Sequence, residues 1–561
     1  MKNSQPGIIS FLLLFCLTFV SAVAIESGRN GAIASVDENA TQTGIDILRQ
    51  GGNAFDAAVA VAFCLAVVYP QAGNIGGGGF IVLRDQSGQM GTLDFREVAP
   101  ATADKNMYLD KNGAVIQDLS LLGPLAAGVP ATVAGMYELH QKYGVLSWDE
   151  CLKPSILFAQ NGFLVNQKLH DDLVNNRDKI FKFPEAFKIF FPHGRIPEVG
   201  ELLIQSDLAK VLSEISIKGK KGFYTGWVAQ QITEYMVDSG GLITVTDLLS
   251  YQPTWRSPHH ISFNGFDIYS MPAPSSGGIT MHQILGMTEP FLSKKNYRSN
   301  SVEYIHLLAE AEKRAFADRN YYLADPDCVK IPVATLTDST YMHDRLPQIP
   351  ESATPANQIS EGTIPGFEHD ETTHFSIVDY AGNAVSCTYT LNGVFGSKAV
   401  VPGTGILLNN EMDDFTVKPG EPNMFGLVMG SANKIECGKR MLSSMSPTIV
   451  LKNDSLLFLT GSPGGSRIIS TVLQTILNIC YFDENITEAL EKPRFHHQWL
   501  PDYLVLEEKF KNDDILINNL KNLGYRIKFR KRLGNVHAIS VKSSYFYPAS
   551  DNRIKGSAIA F

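Results

Sequence analysis

The stretch "NAFDAAVAVAFCLAVVYP" (Asn53–Pro70) is apolar at nearly every position. No polar stripe recurs at helical spacing, so the pattern predicts a helix buried on all sides. Glycines then crowd "NIGGGGFIVLRD", which predicts a turn entering a strand. "QSGQMGTLDFREVAP" (Gln86–Pro100) continues it as a hairpin. From about Leu121 to Phe316 the spacing is mostly helical, with Pro/Gly breaks such as "MPAPSSGG" (Met271–Gly278). Between Gln348 and Glu371 periodicity vanishes, and Pro, Gly and small polar residues predict a flexible connection or exposed loop. At Thr372 the chain changes character. "THFSIVD", "YAGN" and "AVSCTYTL" read as strand, turn, strand. "SLLFLTGSPGGSRIISTVLQTILNI" (Ser455–Ile479) reads as a strand, a Pro-Gly-Gly turn and a helix, and "YLVLEE" and "HAISV" return to strand spacing. The second part is therefore β-rich with at least one helix over its strands, a layered α/β pattern.

The first residues follow another logic. A single lysine, Lys2, precedes an apolar run from Ile8 to Val20 that ends in the small residues "VSAVA". That is the layout of a signal peptide cleaved after Ala22 or Ala24, and it predicts a periplasmic or secreted protein. The run is short for a membrane span. Cys16 lies inside it, but Phe15 before it does not suit lipoprotein processing. Cys64, Cys151, Cys328, Cys387, Cys437 and Cys480 are scattered and form no CxxC pair. Cys64 in an apolar helix and Cys387 in a strand read as buried free thiols.

Composition narrows the function classes. The 561 residues are 44% hydrophobic and 19% charged, enough apolar material for a large core. A net charge of −9 argues against non-specific nucleic-acid binding, which needs a basic face. The reversed order of the glycine-rich stretch, turn into strand rather than strand into helix, argues against a phosphate loop.

The junction at Thr372 suggests chemistry. A threonine hydroxyl is a weak nucleophile unless a base lies beside it, and the α-amine of an N-terminal threonine can serve. The free amine titrates near pH ~8, so a modest depression makes it useful. Such a residue must be made by cutting the chain, and a loop running into a strand that begins with threonine is the local design required. A solvated loop entering an ordinary strand has the same local appearance.

Longer motifs separate the two readings. "GGNAFDAAVA", "GNIGGGGF", "DFRE", "TTHFS", "TYTLN", "GILLNNEMDDF", "LSSMSPTIV", "GSPGGSRII" and "PRFHHQWLPD" occur in this order. With them the chain resembles the γ-glutamyltransferase (γ-glutamyltranspeptidase) family of N-terminal nucleophile hydrolases, from about Gly31 nearly to the C-terminus. The resemblance implies an αββα sandwich and self-cleavage at Glu371–Thr372. Residues 1–22 would be the signal peptide, 23–371 a large subunit and 372–561 a small catalytic subunit, the two forming a heterodimer. It implies glutathione and related γ-glutamyl donors, with water or amino acids and dipeptides as acceptors, and neither cofactor nor metal.

A γ-glutamyl donor carries an α-carboxylate and an α-ammonium far from the reacting amide. Arg96 in "DFRE" has the fork that suits a carboxylate, although an ion pair with Asp94 or Glu97 would also account for it. Glu411 and Asp414 offer acceptors for the ammonium, and Asn392 a neutral one; they lack the spacing of a cation loop. By resemblance Ser443 and Ser444 hold the carboxylate, and Thr390 hydrogen-bonds the nucleophile Thr372. The Gly464–Gly465 turn before a helix presents backbone N–H groups suited to an oxyanion. Arg494 and Arg553 read as ion-pair partners, and His496 and His497 as packing and hydrogen-bonding residues without a third metal ligand.

The chain departs from the family pattern in two places. Phe425 stands where several bacterial relatives carry tyrosine in a loop over the substrate, so a ring remains but its hydroxyl does not. The ending "RIKGSAIAF" is also unusual. Two rivals remain: an amidase of the same fold, such as a cephalosporin acylase, and an exported solute-binding protein.

Overall fold

The structure, a computed structural model, describes residues 27–360 and 372–561. The proposed signal peptide, Cys16 and Glu371 lie outside these residues. Two large sheets face each other. A seven-stranded sheet runs in the order Ser557–Ala560, Gly31–Ser35, Thr373–Asp379, Ala384–Thr390, Gly78–Arg84, Met90–Phe95, Thr254–Arg256. A six-stranded sheet runs Tyr545–Ser550, His537–Lys542, Ser455–Thr460, Thr448–Lys452, Phe266–Ser270, His259–Phe263.

Helices cover both outer faces. Ala54–Val68 is buried at every position and packs on the seven-stranded sheet. Its start is held by a capping box in which Asn53 accepts from the Phe55 and Asp56 N–H groups and Asp56 accepts from Asn53. Gly277–Leu292, Val302–Tyr322 and Arg467–Cys480 belong to the core over the six-stranded sheet. The architecture is αββα, as the resemblance implies. No helix among the described residues is long and apolar enough to cross a membrane.

The space between the sheets is partly polar. Ser386 Oγ donates to the Thr460 carbonyl at 3.0 Å, and Ser376 Oγ to that of His537 at 2.9 Å. His374 lies 2.8 Å from Thr388 Oγ1, and burial holds its ring far below the usual histidine range. It is therefore a neutral link in this polar seam.

The structure sharpens three expectations. The region from Leu121 to Phe316 is not all helical, because His259–Phe263 and Phe266–Ser270 form a hairpin of the second sheet. Its Asn264-Gly265 turn, with positive φ at both residues, is a strong hairpin signal that the surrounding helical spacing hid. In its described part, 348–360, the stretch after Gln348 is not simply an exposed loop. Thr354 N–H donates to Glu310 Oε1 at 3.0 Å, Ala356 is buried, and Trp499 Nε1 donates to the Ala356 carbonyl at 3.0 Å. The unusual ending does pack: Ser557–Ala560 forms the edge strand beside Gly31–Ser35.

Both sheets contain strands from either side of residue 372. A cut there would leave two interleaved pieces joined by sheet hydrogen bonds, not two separate lobes.

Candidate active site

The site lies at one end of the seven-stranded sheet. Thr373 pairs with Tyr389 and His374 with Thr388, so the antiparallel register sets Thr372 opposite Thr390. On its other side Thr390 pairs with Gly78, and the next strand ends at Phe95, immediately before Arg96. Four consecutive strands thus bring Thr372, Thr390 and Arg96 to one edge.

The glycine run makes this approach possible. A Cβ on Gly77 would sit 2.0 Å from the Thr390 carbonyl oxygen, and one on Gly79 2.4 Å from that of Thr388. Neither is backbone that could yield, so these glycines serve close packing rather than phosphate.

A small cleft opens at this edge, enclosing about 340 Å³. That figure takes in space open to solvent, and the cleft itself is narrow. Thr372, Thr390, Asn392, Arg96, Asp414, Ser443, Ser444 and Gly465 border it. Glu411 stands one shell back, its Oε2 2.6 Å from Arg96 Nη1. Gly464 is next to Gly465 but does not border the cleft. The two glycines have φ of 140° and 53°, and the helix Arg467–Cys480 begins directly after them.

The charges are concentrated and buried. Arg96 Nη2 donates to Asp414 Oδ2 at 2.6 Å, its Nη1 lies 3.5 Å from Glu97 Oε2, and its Nε donates to the Met441 carbonyl at 3.3 Å. Asp94 is not its ion-pair partner: Asp94 pairs with Arg256 at 2.8 Å and Arg440 at 3.3 Å, and accepts the Arg96 backbone N–H. Burial raises the carboxyls of Glu411, Asp414 and Glu97 above their ordinary values, and Arg96 pulls each back down. Burial lowers the Arg96 guanidinium, but its three carboxylate neighbours more than reverse this and keep it charged.

Asn392 has φ of 73°, and its backbone N–H donates to Thr390 Oγ1 at 2.8 Å. Its amide donates to the Asn410 carbonyl at 3.0 Å and also supports Asp414. Asn423 donates to Asp414 Oδ1 at 3.3 Å. Phe425 is buried and borders the cleft, held by its N–H to Asn423 Oδ1 and by Gln498 to its carbonyl. Phe425 lines the cleft without bringing a hydroxyl to it.

Sequence reasoning missed Arg319 and Asn423, which both border the cleft. Arg319 is fully buried and borders the cleft. It lies in Val302–Tyr322, a helix with buried charges on several faces, so no single polar residue stood out. The residues read as structural are so. Arg494 and Arg553 pair with Asp551, and Arg553 also with Glu507. His496 bonds Ser470 and Gln498, and His497 lies 3.3 Å from Asp502. The six cysteines are unpaired, with Cys64 and Cys387 buried.

Asp56, His140 and Cys151 bring three ligand-type atoms within 4.8 Å. Asp56 accepts the Asn53 and Val145 N–H groups, and His140 Nε2 is 3.0 Å from the Leu146 carbonyl. These bonds tie the start of the central helix to the loop at 145–146.

Comparison with known proteins adds the lineage. The γ-glutamyltranspeptidase family model matches residues 40–561. The chain is 46% identical over 528 residues to the glutathione hydrolase proenzyme of Escherichia coli (strain K12), covering 94% of this chain and 90% of that protein. It is 46% identical over 533 residues to the Pseudomonas aeruginosa glutathione hydrolase proenzyme, covering 94% of each. Among solved structures, cephalosporin acylase from Bacillus halodurans matches with a TM-score of 0.85 at 26% identity, over 100% of this chain and 99% of that one. A chain of Helicobacter pylori γ-glutamyltranspeptidase matches at 44% identity with a TM-score of 0.56, over 58% of this chain and 94% of its own. By sequence and by fold, this chain belongs to the γ-glutamyltranspeptidase family.

Proposed function

We propose that the chain is an exported γ-glutamyltransferase and glutathione hydrolase, active after it cuts itself at Glu371–Thr372. The observation that carries this reading is the meeting, in one small cleft, of Thr372 with a guanidinium at Arg96 and a carboxylate at Asp414, with Glu411 directly behind. A zwitterionic amino-acid head needs that pair of opposite charges. The donor's α-carboxylate faces Arg96, Ser443 and Ser444. Its α-ammonium faces Asp414 and Asn392, with Glu411 behind them adding negative charge. Its γ-carbonyl reaches Thr372.

After the cut, the α-amine of Thr372 takes the proton of its own hydroxyl as Oγ1 attacks the γ-carbonyl. The oxyanion is held by backbone N–H groups at Gly464 and Gly465, where each donor contributes about 3 kcal/mol to the transition state. Thr390 orients the hydroxyl. The amine returns the proton to the leaving amino group, and a γ-glutamyl-Thr372 ester remains. Water, or the amine of an amino acid or dipeptide, attacks the ester and regenerates Thr372.

The relatives' designation as glutathione hydrolase proenzymes supports both the donor and the processing. The share of this chain matched by the Helicobacter chain, 58%, is close to that of the proposed large subunit. The interleaved sheets support a heterodimer that stays together after the cut. The run before residue 25 supports export to the periplasm or beyond. The backbone resemblance to a cephalosporin acylase reflects the shared sandwich; the buried Arg96 with Glu411 and Asp414 favours an amino-acid-like donor over a β-lactam side chain.

Mass spectrometry and a γ-glutamyl anilide assay on purified protein test this together. The expected result is a fragment beginning Thr-Thr-His-Phe and release of the anilide. A single uncut chain with full activity would reject the mechanism.

A further inference from the structure

Arg319 differs from Arg96 in its company. Its Nε donates to Ser276 Oγ at 2.9 Å, its Nη1 to Asn320 Oδ1 at 2.8 Å and its Nη2 to Ser444 Oγ at 3.0 Å. All three acceptors are neutral. Among the described residues no carboxylate lies within ion-pair distance of it, although it is 1% exposed. A buried guanidinium is ordinarily paired with an anion. Arg96 has two such partners at 2.6 Å; Arg319 borders the same cleft with none.

Its donors also dictate where protons point. A guanidinium has only N–H donors, so every hydroxyl that it contacts must accept. Ser444 Oγ accepts from Arg319, which leaves its own O–H to donate elsewhere. Ser276 Oγ accepts from Arg319 and passes its proton to the Ser443 carbonyl at 2.7 Å, fixing that backbone. Ser443 Oγ accepts from the Met445 N–H at 3.1 Å, so its O–H is also left to donate. Two adjacent hydroxyls, each already accepting one hydrogen bond and each with its O–H left to donate, border the cleft beside a cation without an ion-pair partner.

We infer that Arg319 is a positioning residue for the donor's α-carboxylate: it turns the Ser444 hydroxyl proton, and through Ser276 the Ser443 backbone, toward that group, and supplies positive charge that Arg96 shares with Glu411 and Asp414. This rests on the donor orientation proposed above. The ligand class is a planar carboxylate next to a tetrahedral carbon bearing an ammonium. Burial pushes the guanidinium down to about 10, partly offset by Asp414, so it stays protonated at neutral pH.

The test compares γ-glutamyl p-nitroanilide with 4-aminobutyryl p-nitroanilide, which lacks only the α-carboxylate. In Arg319→Gln, KM for the γ-glutamyl anilide should rise about 10- to 100-fold, the worth of one charge-assisted hydrogen bond, with kcat changed far less. kcat/KM for the 4-aminobutyryl anilide should stay within about threefold on the same reading. An equal loss on both substrates would reduce Arg319 to a structural role and overturn the inference. A wild-type enzyme indifferent to the α-carboxylate would overturn the donor orientation itself, and this inference with it. If Arg319→Gln does not mature, Arg319→Lys is read against Ser444→Ala and the double variant. Non-additive KM effects support the coupling, and additive ones overturn it.

Discussion

Arg96 Nη1 lies 2.6 Å from Glu411 Oε2, and the pair joins residues from opposite sides of the proposed cut. Both side chains are buried, so neither charge is relieved by water. A buried pair of this kind roughly breaks even as a source of stability, and breaking it by removing one partner is costly. On the proposed function, its value is that it holds opposite charges beside the cleft where the donor's zwitterionic head would bind.

Arg96→Lys keeps the charge but loses the planar fork. It should raise KM for a γ-glutamyl anilide by about tenfold or more while slowing ester breakdown little. Pre-steady-state kinetics separate the two steps. An unchanged donor affinity would remove Arg96 from the binding pocket.

Thr372→Ala removes the hydroxyl needed for the cut and for turnover, so a single inactive chain is expected on a denaturing gel. Thr372→Ser keeps a hydroxyl but frees χ1; it should cut, more slowly, and retain reduced activity. A small subunit made separately with alanine in place of Thr372 should assemble without turnover. Activity there would move the nucleophile, with Thr373 the first candidate.

Gly464 has φ of 140°, which a Cβ-bearing residue rarely adopts. Gly464→Ala should twist the turn and misdirect the N–H groups before Arg467–Cys480. A fall in kcat of about 10²-fold is expected, the usual cost of one oxyanion donor, with a smaller change in KM. An unaltered kcat would place the oxyanion elsewhere.

Asp413 gives a pH signature. Burial raises its carboxyl to about 7, against hydrogen bonds from the Met424 N–H and Ser120 and with repulsion from Asp414. In the unfolded chain it titrates near ~3.9, so between these values the folded protein holds the extra proton. Its stabilising contribution is full below about pH 4 and is lost as pH rises through about 7, at up to roughly 1.4 kcal/mol per pH unit. Asp413→Asn cannot titrate. The unfolding midpoint of the variant minus that of the wild type should therefore increase from pH 4.5 to 7.5. A constant difference would show that Asp413 binds no proton in this range.

Local pattern alone settled much of this protein. The all-apolar run at Asn53–Pro70, the strand pair after Thr372 and the Pro-Gly-Gly turn each carry their conformation in a few neighbouring residues, through burial, alternation and backbone freedom. Ordered motifs carried the family. Other features depended on partners distant in sequence. The hairpin Asn264–Gly265 became part of a sheet because Thr448–Lys452 lies beside it. Arg96 is paired with Glu411 and Asp414 rather than with Asp94, because Arg256 and Arg440 arrive from elsewhere to claim Asp94. Arg319 meets Ser444 across 125 residues of sequence. A charge on a helix reads the same whether it faces water or a cleft; only packing removes the water and decides which groups remain to answer it.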